Sequence, residues 1–201
     1  MTKSYIIAIW GPSGSGKSTL INYLKKHLSA LYLNEDDYFI PPPQNEDILH
    51  HCFDSPSALR LDTLHKNLQE LTAMRPIQLT PYDLLTRTLG NTVALQPQPL
   101  IIIEGRLFAT LAKIRPMISL SIYLDTPIDT CMDLRAKRDA SSRKRNADEI
   151  HQRIQQSVIP RTQQFIEPYR HLADHRINPH HQDAYQSILH LCQENHLRSL
   201  L

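Results

Sequence analysis

One stretch constrains this chain more than any other. Ile6-Ile7-Ala8-Ile9-Trp10 runs directly into Gly11-Pro12-Ser13-Gly14-Ser15-Gly16-Lys17-Ser18-Thr19. An apolar run suited to a buried strand ends in G-x-x-x-x-G-K-S, and a helical pattern of Leu20, Ile21, Leu24 and Leu28 follows at once. That is the strand–loop–helix context in which such a loop binds phosphate. Its glycines let the backbone turn tightly, so that successive N–H groups face phosphate oxygens. The first turn of the helix adds unpaired N–H donors and the positive end of its dipole. Residues 11–19 are therefore expected to hold a nucleoside triphosphate, with Lys17 reaching the β- and γ-phosphates and Ser18 ligating Mg²⁺. The chain has five glycines, and three of them fall at Gly11, Gly14 and Gly16, which favours a built loop over a flexible turn.

A length of 201 residues suits one α/β domain with its own core, and residues 1–201 read as a single domain. A net charge of +2 argues against a surface that wraps a polyanion, so no nucleic-acid partner is expected. No apolar run approaches the roughly 20 residues of a membrane helix, and Met1-Thr2-Lys3-Ser4 leaves no room for a signal peptide. Cys52, Cys131 and Cys192 are odd in number and far apart, as expected for reduced thiols in a cytoplasmic protein. Eleven histidines include the adjacent pairs His50-His51 and His180-His181, but neither pair has H-x₃-H spacing, and solvated loops account for them better.

Apolar runs alternate with helical patterns along the chain. The pattern predicts a helix over 17–29, a strand over 30–34, and a helix following the Ser55-Pro56 cap. A hairpin is expected over about 77–95 around Gly90-Asn91, and strands over 100–105 and 118–124. Helices are expected near 106–113 and 128–139. A long helix from about 148 should be interrupted by Pro160 and Pro168. A short strand over 176–178 and an amphipathic terminal helix complete the pattern. Such alternation implies an α/β, three-layer P-loop NTPase architecture: a mostly parallel sheet covered on both faces, with the hairpin and a basic helical lid added.

In a sheet of this kind ligands sit beyond the carboxyl ends of the strands. Asp36, Asp37, Glu104 and Asp125 all fall at such ends. Glu104 closes an apolar run beside the phosphate loop, the place from which a carboxylate serves Mg²⁺. Gly105 after it suits a close approach of backbone to phosphate. Asp36 or Asp37 is placed to orient and deprotonate an attacking hydroxyl. The basic stretch Arg135, Lys137, Arg138, Arg143, Lys144 and Arg145 carries no aromatic residue, which disfavours stacking on single strands. Ser141-Ser142 at its centre suits a lid, over about 138–147, that closes on the transferring phosphate.

Taken together, these pieces resemble the uridine kinase family of P-loop nucleoside kinases over nearly the whole length. The family's loop is present as Gly11 to Ser18. Its Asp-x-aromatic-aromatic segment matches Asp36-Asp37-Tyr38-Phe39, and its Phe-Asp-x-Pro segment matches Phe53-Asp54-Ser55-Pro56. Its base-packing hairpin resembles Thr80-Pro81-Tyr82-Asp83-Leu84, and its strand end matches Glu104-Gly105. The lid pattern reads as Arg135, Arg138, Asp139, Arg143 and Arg145, and the later segment recurs as Val158-Ile159-Pro160, Phe165, Pro168 and Ala173-Asp174.

The resemblance implies ATP- and Mg²⁺-dependent phosphorylation of a ribonucleoside 5′-hydroxyl, usually that of uridine or cytidine, in pyrimidine salvage. It assigns the catalytic base to Asp36, the ribose hydroxyls to Asp54, the nucleobase to Tyr82, and the phosphates to Lys17, Arg138, Arg143 and Arg145. Phe39 and Arg135 fall in the substrate-facing segments, Ser18 and Glu104 at the metal. A homo-oligomer is expected by the same analogy. One departure stands out. Where the family usually reads the pyrimidine 4-position with histidine, this chain has Arg87, which only donates hydrogen bonds. Arg87 either favours uridine over cytidine or another base, or lies exposed outside the site. The alternatives are a related kinase acting on nicotinamide riboside or pantothenate, and a nucleotide-dependent regulatory switch, although no Asn-Lys-x-Asp motif is present.

Overall fold

The computed structural model describes residues 4–43, 53–141 and 146–199. Its centre is a five-stranded, all-parallel sheet built from β1 (Tyr5–Trp10), β2 (Leu31–Asn34), β7 (Leu100–Gly105), β8 (Leu120–Leu124) and β9 (His175–Ile177). Their order is β2-β7-β1-β8-β9. The chain leaves β1 for one side of the sheet, returns through β7, then crosses to β8 on the other. That reversal flanks β1 and opens the crevice where ligands bind. Register brings the carboxyl ends level: Asn34 pairs Glu104, and Trp10 pairs both Gly105 and Tyr123.

The continuous apolar runs of β1 and β7 follow from burial on both faces. Ile6, Ala8 and Trp10 face one core layer, packed with Leu64, Leu68 and Leu71 of α2 (Leu61–Thr72). Ile7 and Ile9 face the other, against Leu20, Ile21 and Leu24 of α1 (Lys17–Leu24) and Ile188 and Cys192 of α6 (Ala184–Ser199). A smaller cluster joins Cys131 and Met132 of α3 (Ile128–Ser141) to Ile150 of α4 (Ala147–Arg153), Ile154 and Val158. Cys131 and Cys192 are free and buried, and burial pushes their thiols up to about 11 and about 12, so both serve as packing groups. Cys52, His50 and His51 lie outside the described residues.

Several elements depart from the sequence expectation. The helix expected near 106–113 is instead a pair of 3-10 turns, Phe108–Thr110 and Arg115–Met117, which tuck Leu107, Phe108, Leu111 and Ile114 into the core. Ser55 caps only a 3-10 turn, Pro56–Ala58, and α2 begins later at Leu61. After α4 the helix does not stop. It passes through a π turn, Ile154–Val158, into α5 (Ile159–Phe165), where Pro160 sits in the first turn and needs no N–H partner. Residues 77–95 form two nested ladders: β3 (Ile77–Leu79) with β6 (Val93–Leu95), and β4 (Tyr82–Asp83) with β5 (Thr88–Leu89). Among the described residues no helix is long and apolar enough to cross a membrane.

Candidate active site

A cavity of about 350 Å³ opens at the carboxyl ends of β1, β2 and β7. One half is the phosphate loop. Gly16 caps α1 with φ 94°, a left-handed conformation suited to glycine, and no side chain caps this helix end. Gly14, at φ 89°, lies so close to the Cys131 carbonyl of α3 that a Cβ would clash with it. The loop is thereby seated on the helix that carries Arg135 and Arg138. Ser13, Gly14, Gly16, Lys17, Ser18 and Thr19 line the cavity. Gly11 and Ser15 do not line it: Ser15 is fully buried, its Oγ has no hydrogen-bond partner among the described residues, and its carbonyl accepts from Thr126 Oγ1 at 3.0 Å.

Lys17 is turned onto the loop's own carbonyls, donating to Gly11 O at 2.9 Å and Pro12 O at 2.8 Å. Burial lowers its pKa to about 8, Glu104 opposing and Arg106 assisting. Such a cation gains from an incoming anion, and the uncapped α1 N-terminus offers the complementary donors. Ser18 Oγ donates to Glu104 Oε1 at 2.6 Å, bringing together the two expected metal-site oxygens. Among the described residues no group of three or more His, Cys, Asp and Glu side chains is arranged to hold a metal ion by itself. A divalent cation here would therefore take most of its oxygens from phosphate and water, as Mg²⁺ does.

The other half is walled by Phe39, Phe53 and Tyr82, whose ring centroids lie 5.1, 5.7 and 5.9 Å apart. Tyr82 is buried and its hydroxyl has no hydrogen-bond partner among the described residues. Arg87 lines the same cavity from a tight turn. Its φ is 62°, its N–H donates to Asp83 O at 2.7 Å, and Asp83 Oδ1 accepts from the N–H groups of Leu85 and Thr86.

Between the halves lie the carboxylates. Asp36 lines the cavity, its backbone N–H held by Asn34 Oδ1 at 2.9 Å. Asp37 does not; burial and the neighbouring Asp36 push its carboxyl up to about 6. Asp54 is buried beside Arg106, with Arg135 Nη1 at 3.8 Å. Burial alone would raise its pKa, but Arg106, Arg135, Arg153 and Arg138 together outweigh that and hold it below the usual carboxylate range. Arg135 and Arg138 also pair with Asp139 of the same helix, at 3.7 and 3.2 Å, and Arg138 reaches Ser13 Oγ at 3.4 Å. Arg143 and Arg145 lie outside the described residues, as does most of the lid's centre.

Sequence reasoning missed Arg106 and Arg153, which both line the cavity. Arg106 was legible as the first side chain beyond Glu104-Gly105, level with the other strand ends. Nothing in the sequence singles out Arg153, which arrives from α4. Gly105 also serves a different purpose from the expected one. A Cβ there would meet Glu35 Oε2 at 2.5 Å and Phe108 Cζ at 2.6 Å, so the close approach is made by a carboxylate and a ring.

The arrangement pairs a phosphate-binding loop with a carboxylate and an aromatic acceptor wall, as a phosphoryl transfer to a hydroxyl requires. Residues 6–184 match the model of the phosphoribulokinase / uridine kinase family. The uridine kinases of Cronobacter sakazakii and Klebsiella pneumoniae are each 36% identical over 180 residues, covering 84% of this chain and 84% of theirs. Two solved structures share the fold. A kinase of Silicibacter sp. TM1040, provisionally assigned to a fructose transport system, superposes with a TM-score of 0.73 at 21% identity, covering 88% of this chain and 90% of that one. A possible uridine kinase of Bacillus stearothermophilus gives 0.61 at 21% identity, covering 88% and 89%. The chain belongs to the phosphoribulokinase / uridine kinase family and is a nucleotide-using phosphotransferase with an alcohol acceptor.

Proposed function

We propose that this kinase transfers the γ-phosphoryl group of ATP to the 5′-hydroxyl of a pyrimidine ribonucleoside, uridine in preference to cytidine. The observation that carries this reading is the acceptor half of the cavity: a wall of three mutually packed aromatic rings, beside a buried carboxylate braced by arginines. The rings would take the base and Asp54 the ribose hydroxyls. The loop N–H groups, Lys17 and Arg138 would hold the triphosphate, with Arg143 and Arg145 closing from the lid. Ser18 and Glu104 would hold Mg²⁺, which supplies charge neutralisation on the phosphates when bound. Asp36 accepts the 5′-hydroxyl proton as that oxygen bonds to the γ-phosphorus and the bond to the bridging oxygen breaks, releasing ADP. Arg87 can donate to the 4-carbonyl of uracil but cannot accept from the cytosine amino group, hence the preference.

The test is ADP release with Mg-ATP across uridine, cytidine, 2′-deoxyuridine, nicotinamide riboside and no acceptor, with Asp36→Asn alongside. Uridine-dependent turnover that falls by about 10²–10⁴ in the variant supports the reading. Equal efficiency on cytidine would remove Arg87 as a base reader. Turnover without acceptor, unchanged in the variant, would overturn the nucleoside kinase reading.

A further inference from the structure

Arg106 is a buried cation at the meeting point of three acidic groups from two other segments. It is the first residue after β7, and its backbone is clamped from β2's end: Glu35 Oε2 accepts from the N–H of Arg106 at 3.2 Å and of Leu107 at 3.0 Å. The side chain then divides between partners. Nη1 is paired with Asp54, and Nη2 lies 3.4 Å from Asp36 Oδ1 and 3.1 Å from the Phe53 carbonyl. Nε stands 4.0 Å from Glu35 Oε1. The guanidinium also covers the Phe39 ring at 5.5 Å. Asp54 is slightly more buried than Arg106, whereas Asp36 keeps a third of its side chain open to the cavity.

We propose that Arg106 is a positioning residue that couples the sugar-binding carboxylate to the catalytic one, an inference resting on the nucleoside reading above. A planar guanidinium offers donors in a rigid fork, so two carboxylates bound at its two ends have a fixed separation. That separation measures the distance between the ribose hydroxyls at Asp54 and the hydroxyl to be phosphorylated at Asp36. Binding energy from the diol is thereby realised as alignment of the reacting oxygen, rather than as affinity alone. A lysine carries the charge without the fork and cannot hold both ends at once.

The experiment compares kcat/KM for uridine and for 2′-deoxyuridine in wild type, Arg106→Met and Arg106→Lys. The ratio of the two substrates within one preparation is independent of how much of it is folded. Loss of alignment at Asp36 slows both substrates, but loss of the brace on Asp54 removes only the advantage of the hydroxyl. The expected result is a uridine preference reduced by on the order of tenfold or more in Arg106→Met, with Arg106→Lys in between and expressed in kcat more than in KM. Should the methionine variant not fold, the lysine variant decides by the same ratio. Equal losses on both substrates, leaving the ratio unchanged, would make Arg106 merely structural and overturn the inference alone. A wild type that uses both nucleosides equally also overturns it, while leaving the kinase reading intact. A wild type silent on uridine overturns the nucleoside reading and this inference with it.

Discussion

Glu35 offers a thermodynamic test of the arrangement at the strand ends. Its carboxyl is buried under Gly105, and burial pushes its pKa up from 4.5 to about 7, against the opposing pull of Arg106 and the N–H groups of Leu107 and Arg106. In the unfolded chain the group ionises near its ordinary value. Between these two values the folded state therefore binds more protons than the unfolded state, and stability falls as pH rises. Integrated from pH 5 to pH 8, this one group removes about 2–3 kcal/mol. Glu35→Gln keeps a carbonyl oxygen for the two backbone N–H groups and deletes the titration. Urea unfolding of both proteins at pH 5, 6, 7 and 8 isolates the term, because other titrating groups, Asp37 included, contribute equally to the two curves. The difference between variant and wild type should move in the variant's favour by about 2–3 kcal/mol across this range. Parallel curves would refute the reasoning, since Glu35 would then ionise alike in both states.

Three further outcomes follow from single contacts. Gly105→Ala forces a methyl onto Glu35 Oε2 and Phe108, and overpacking of this kind costs about 1–3 kcal/mol, read as a melting temperature lowered by roughly 2–12 °C. Tyr82→Phe removes a buried hydroxyl that has no partner among the described residues, so the ligand-free protein should be stabilised by up to about 1 kcal/mol in the same unfolding assay. Lys17→Met removes a charge-assisted donor to phosphate, and isothermal titration should show ATP affinity weakened by about 10- to 150-fold while the melting temperature of the free protein holds or rises.

The phosphate loop, the alternating strands and helices, and Glu104 beside Ser18 were all legible in the sequence. Each rests on local patterning: a continuous apolar run buried on both faces, glycines where φ is positive, and a carboxylate at a strand end. The segment after β7 was misread as a helix because its apolar spacing is helical, yet Leu107, Phe108, Leu111 and Ile114 reach the core from two 3-10 turns. The choice between Asp36 and Asp37 could not be made from their spacing, since neighbours in sequence differ only in where a turn points them. Of the 3-10 turn Glu35–Tyr38, Asp36 lines the cavity and the half-buried Asp37 does not.

What the sequence by itself determined is the chemistry that a contiguous stretch can hold: a nucleotide-binding loop on an α/β sheet, and the family to which it belongs. What only the tertiary structure decided is which distant charges meet. Arg106, Asp54, Asp36 and Arg135 come from four segments, and Arg153 from a fifth, with no spacing that relates them. Their interaction depends on separations of a few ångströms and on exclusion of water, and both are set by how the sheet ends, α3 and α4 pack together.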